Sequence, residues 1–111
     1  MKYKQAENII IENFQNKGWE TSPATKHRDY FIASSAVAPK SFGGPEKSIT
    51  WELKKDAEGA SIDLELFEKQ GKSFEKFGLM TTIFLDDFTD ADEIKEEVDN
   101  VHEEVKQLGA K

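Results

Sequence analysis

Between Ser48 and Leu66 apolar and polar residues alternate. Ile49, Trp51 and Leu53 interleave with Ser48, Thr50, Glu52 and Lys54, and Ile62, Leu64 and Leu66 interleave with Ser61, Asp63 and Glu65. A period of two buries one face of a strand and wets the other. Asp56-Ala57-Glu58-Gly59 sits between the two runs as a turn. Pairing Lys55 with Ala60 sets Leu53 opposite Ile62, Trp51 opposite Leu64 and Ile49 opposite Leu66. A slip of one residue would turn one apolar set to water, so the register is strongly specified. On the outer face it places Glu52 opposite Asp63 and Thr50 opposite Glu65. Like charges facing each other destabilise a ladder, so either Lys54 and other lysines relieve the repulsion or the face meets something cationic.

The period changes to helical at both ends. Over residues 2–17, Tyr3, Ala6, Ile10 and Phe14 fall on one face with Ile9 beside them. Gly18 follows as a left-handed cap, and Trp19 is then placed to pack on Phe14 as the apolar partner of a Schellman motif. Near the other end, Asp90 and Glu93 resemble a capping box. Ile94, Val98, Val101, Val105 and Leu108 follow as a narrow stripe, one turn after Ala91, with Gly109 as the stop.

The remaining elements are less sharply patterned. Residues 28–37 read as a strand with no clear inward parity, because Tyr30, Ile32 and Ala36 compete with Phe31, Ala33 and Val37. Residues 38–47 read as a loop, with Phe42 either tucked onto the sheet or offered to a partner. Residues 67–78 read as a turn-rich connection carrying Phe67, Phe74 and Phe77. Residues 79–85 read as a strand apolar on both parities, which predicts a central or doubly covered position. The expected fold is α+β: one domain over residues 1–111, with an antiparallel sheet of about four strands covered on one face by the terminal helices, in the order α-β-β-β-β-α.

Charge and composition then narrow the function. A chain of 111 residues can bury a core without staples. It has no cysteine, which removes disulfides and thiolate metal sites and is compatible with a reducing compartment. No run approaches the ~20 apolar residues that span a bilayer, and the first residues lack a signal-peptide core. The expectation is a cytoplasmic protein. Net charge is −7, which opposes direct binding to nucleic acid or anionic membranes and permits a partner with a basic surface. The charge is uneven, since residues 90–111 hold eight acids against three lysines.

No catalytic constellation stands out. His27 and His102 lack metal-ligand partners at helical spacing. Asp86, Asp87, Asp90 and Asp92 crowd one junction, where capping and the helix dipole already explain acids. The serines sit in none of the nucleophile motifs, and no phosphate-loop pattern precedes a helix. Neither cofactor nor metal is expected. The function expected is therefore a small acidic protein-binding module, an inhibitor, immunity or anti-defence factor or chaperone-like accessory, acting without catalysis. Glu96, Glu97, Glu103 and Glu104 on the outer face of the last helix are the candidate partner-binding residues, with Phe42 as the rival. The wider row Asp92, Glu93, Glu96, Glu97, Asp99, Glu103 and Glu104 also suits imitation of a phosphate backbone. Two alternatives are a homodimer through the last helix, and a ligand-binding domain or enzyme with Tyr30, Trp51 and Phe84 lining a pocket under the sheet.

Overall fold

The computed structural model describes residues 1–22, 25–27, 30–32 and 34–109. In chain order the elements are α1 (Tyr3–Asn16), β1 (Glu20–Ser22), β2 (Thr25–His27), β3 (Tyr30–Ile32), β4 (Ser34–Val37), a 3-10 turn η1 (Lys40–Phe42), β5 (Lys47–Asp56), β6 (Gly59–Gln70), β7 (Ser73–Leu85) and α2 (Ala91–Gly109). Strands β1, β4, β5, β6 and β7 form one antiparallel sheet in that spatial order, and β2 pairs with β3 separately. The expected α+β order holds, with β1 as an additional edge strand.

The β5–β6 hairpin has the register that alternation requires, with Trp51 opposite Leu64 and Lys55 opposite Ala60. Ile49, Trp51, Ile62, Leu64 and Leu66 are buried under the helices, while Leu53, near the turn, is half-buried. On the outer face the carboxylate conflict is relieved locally. Lys54 Nζ donates to Asp63 Oδ2 at 2.8 Å, Thr82 donates to Asp63 Oδ1 at 2.8 Å, and Lys76 stands 3.3 Å from Glu65. The Lys54 ammonium, then the Thr82 hydroxyl, hold the Asp63 carboxyl below its usual range.

Both helices lie on the inner face. α1 ends in a Schellman motif: Gly18 has φ 87°, its N–H donates to Gln15 O, and the Trp19 N–H donates to Phe14 O at 3.0 Å. The Trp19 and Phe14 rings then stack obliquely, with centroids 4.6 Å apart. α2 starts where expected, with Asp90 Oδ1 accepting from the Glu93 N–H at 2.9 Å. Its stripe Ile94, Val98, Val101 and Val105 is buried in the chain's own core and Leu108 packs against it. A seam for helix-to-helix pairing with a second copy therefore has its apolar residues already in use.

Several expectations need correction. Residues 67–78 are not a connection: β6 and β7 form one long hairpin that turns only at Gly71 and Lys72. Pairing skips Met80 between Leu64 and Glu65, and skips Phe77 between Leu66 and Phe67. Each is an extra residue on β7, a bulge, and two bulges in one strand erase the period of two that would have marked it. Strand 79–85 is also not central, since β7 is the last strand of the sheet. Its double-parity apolarity is exposure on an edge, not coverage. Finally, Phe84 lies opposite Ser61 on the outer face and is 73% exposed, while Trp51 faces inward at 1%. The two cannot line a common pocket under the sheet. The expected 28–37 strand is divided between β3 and β4. In β4 the inward residues are Ser34 and Ala36, and which of Tyr30, Phe31, Ile32 and Ala33 turn inward lies outside the described residues.

Candidate interaction surface

Among the described residues, the exposed large apolar side chains are Phe74, Phe77, Leu79, Phe84 and Phe88. All five lie on β7 or in the turn that follows it. Because β7 is the sheet's edge, its outward N–H and C=O groups face no neighbouring strand among the described residues, and a strand in this position is a template for pairing. Leu79 and Phe84 occupy the outer face, opposite Glu65 and Ser61 respectively. Scattered exposed apolar residues are ordinary on any protein. Here five are concentrated on one edge strand and its adjoining turn.

The inner side of the same edge is acidic. Thr81 of β7 donates to Glu97 Oε2 at 2.7 Å, so Glu97 is half-buried against the sheet and does not point away from the core as the sequence suggested. That hydrogen bond fixes which flank of α2 lies along β7. Glu93 and Glu104 stand four and seven residues from Glu97, and therefore on the same flank. Both are exposed. Glu96 and Glu103 are exposed too, but they sit farther round the helix from this flank. Of the four glutamates expected to act together, the structure thus aligns Glu97 and Glu104 with β7 and separates Glu96 and Glu103 from them.

Phe42 is half-buried. Its ring meets Trp19 edge-on at 6.0 Å and His102 at 5.2 Å. The end of α2 comes so close that a Cβ on Gly109 would collide with the Phe42 carbonyl. Beneath the adjoining loop Lys47 is buried, with Nζ donating to Pro45 O at 3.0 Å and standing 3.9 Å from Glu68.

Sequence reading missed a buried carboxylate. Glu7, 4% exposed on α1, accepts from the Tyr3 hydroxyl at 2.6 Å and from the Ser34 hydroxyl at 2.8 Å, both at Oε2. Burial, then the bond to Glu7, raises the Tyr3 hydroxyl well above its ordinary pKa. The signal was available, since Glu7 stands one turn after Tyr3 and one turn before Ile10 on the apolar stripe. Of the clustered aspartates, Asp86 Oδ1 is committed to its turn, accepting from the N–H groups of Phe88 at 2.8 Å and Thr89 at 2.9 Å. The Phe88 N–H, then the Thr89 hydroxyl, which also donates to Oδ1 at 3.1 Å, hold its carboxyl below the usual range. The side chain of His27 lies outside the described residues.

No described helix is long and apolar enough to cross a membrane. No protein-family model, no curated protein and no solved structure matches this chain.

Proposed function

We propose that this chain is a non-catalytic protein-binding module that captures an extended, basic segment of a partner by strand addition at β7. The observation that carries the reading is the concentration of exposed apolar side chains on the free edge strand, flanked on its inner side by the row Glu93, Glu97 and Glu104. A strand added there gains main-chain hydrogen bonds from the edge, and its side chains point alternately to the two faces. One parity meets Leu79 and Phe84, and the other meets the glutamate row. The matching ligand is a segment in which apolar residues alternate with lysine or arginine. Net charge −7 would favour the encounter with such a segment.

Catalysis has no part in this reading. Glu7 and Asp63 are both engaged by hydrogen bonds within the fold, and Asp63 stands on an open sheet face where nothing desolvates a reacting group. Occlusion of a partner's basic strand would act as inhibition or as chaperoning. A cysteine-free chain suits a partner in the cytoplasm.

The test is a ten-residue peptide alternating valine and lysine, compared with a peptide of the same composition in two blocks. The alternating peptide should bind at least tenfold more tightly and slow amide exchange along β7. Glu93→Gln with Glu104→Gln should weaken binding mainly through the on-rate. Equal affinity for the two peptides, or binding without protection of β7, would remove strand addition.

A further inference from the structure

On the side of the molecule away from β7, the ends of both helices meet η1. Trp19, held against Phe14 by the α1 cap, donates its Nε1–H to His102 Nδ1 at 3.0 Å. Accepting at Nδ1 fixes the neutral imidazole as the tautomer with its hydrogen on Nε2. That donor has no acceptor among the described residues. In front of His102 opens a groove of about 700 Å³, lined by Lys17, Pro39, Ser41, Phe42, His102 and Lys106.

The groove reverses the charge of the rest of the chain. Net charge is −7, yet no residue lining the groove is acidic. The charged groups acting on His102 are Lys17 and Lys106, together with Asp99 and Glu103 on α2. Asp99 is taken up by Lys17 at 2.6 Å. Lys106 is exposed and has no carboxylate within ion-pairing distance among the described residues. Much of the wall is carbon: the Phe42 ring, Pro39, Gly18 and the stems of the two lysines. A concave, mainly apolar surface with a few convergent donors is the form of a small-molecule site.

We propose that this groove binds a small organic anion, a carboxylate or phosphate monoester with an apolar body. Lys106 and the Nε2–H of His102 hold the anionic group, and Phe42 and Pro39 receive the body. Bare inorganic anions gain only half of this recognition, because they leave the apolar wall wet. The site is separate from β7 and does not depend on the strand-addition reading.

The experiment uses the whole chain labelled with ¹⁵N, titrated with benzoate, phenyl phosphate and inorganic phosphate. The protein supplies its own control, since Trp19 borders the site and Trp51 lies in the core with its Nε1–H unpartnered. Benzoate or phenyl phosphate should shift the Trp19 indole N–H saturably while the Trp51 signal stays in place, and the tighter of the two identifies the anionic group. Inorganic phosphate should bind at least about tenfold more weakly. Lys106→Met, an exposed position, should weaken the organic anion by about tenfold, while Leu79→Ser leaves it unchanged. No saturable shift, an equal response to inorganic phosphate, or undiminished binding by Lys106→Met would each overturn the proposal.

Discussion

The β5–β6 and β6–β7 hairpins share a strand and differ in almost everything else. The first is continuous in register over ten paired positions, so its apolar residues reach one face and are covered. The second crosses two bulges and ends the sheet, so its apolar residues are distributed over both faces and the rim, where Phe77, Leu79 and Phe84 remain exposed. The same residue types therefore do different work. In the first hairpin they supply stability through burial. In the second they supply a surface. Apolar content alone does not separate the two roles, whereas unbroken register does.

That contrast can be broken by mutation. The largest effect is expected at Trp51: Trp51→Ala should cost about 3–5 kcal/mol, the range for a large aromatic removed from a core, whereas Leu79→Ser should stay within about 0.5 kcal/mol yet abolish capture of the alternating peptide. Urea unfolding and peptide titration on the same two variants check both halves. A loss at Leu79 comparable to that at Trp51 would mean that the edge is structural. Next in size is the β6–β7 turn, where Gly71 has φ 64°. Gly71→Val should destabilise by about 1–2 kcal/mol, the cost of left-handed backbone for a side-chain-bearing residue, and thermal melting would show it. An unchanged melt would indicate that the distal part of this hairpin is already frayed.

The smallest effect concerns acid. Lys54 and Thr82 hold the Asp63 carboxyl below its ordinary pKa, so in the pH range between the folded and unfolded values the unfolded chain binds the extra proton. The contribution is complete above the usual carboxylate range and is lost as pH falls below about 4. Asp63→Asn should lower stability slightly at neutral pH, leave it almost unchanged in strong acid where the carboxyl is protonated anyway, and so flatten the acid limb of the profile. An acid limb identical to the parent's would assign acid sensitivity to other groups.

The two hairpins also mark how much of the molecule was legible. The β5–β6 register, the Gly18 cap, the Trp19–Phe14 contact, the Asp90 cap and the α2 stripe all follow from local rules acting over a few residues, and all were readable. Strand β1 was not, because three residues, Glu20–Ser22, carry no period. The bulges at Met80 and Phe77 were not, because a bulge removes the alternation by which strands are recognised. The edge position of β7 depends on strand order, which no local pattern contains. Glu97 looked like a surface residue because its charge outweighed its place at the border of the buried stripe. Its partner Thr81 is supplied by another element. The His102 groove is made from three segments far apart in sequence, so no motif announces it, although Phe42 was singled out as an apolar residue in want of a neighbour.

The Trp19–His102 hydrogen bond joins residues 83 positions apart, and this distance sets when the bond can form. Closing a loop costs entropy that grows by about 0.6 kcal/mol with each doubling of its length. The hairpin turns at Asp56–Gly59 and Gln70–Ser73 close over a few residues, almost five doublings shorter, so bringing Trp19 to His102 from an open chain would cost about 3 kcal/mol more. The intervening sheet removes most of that penalty by shortening the effective path. The groove at the helix ends is thus a part of the molecule whose assembly presupposes the sheet, and one whose closure a loosened sheet would forfeit.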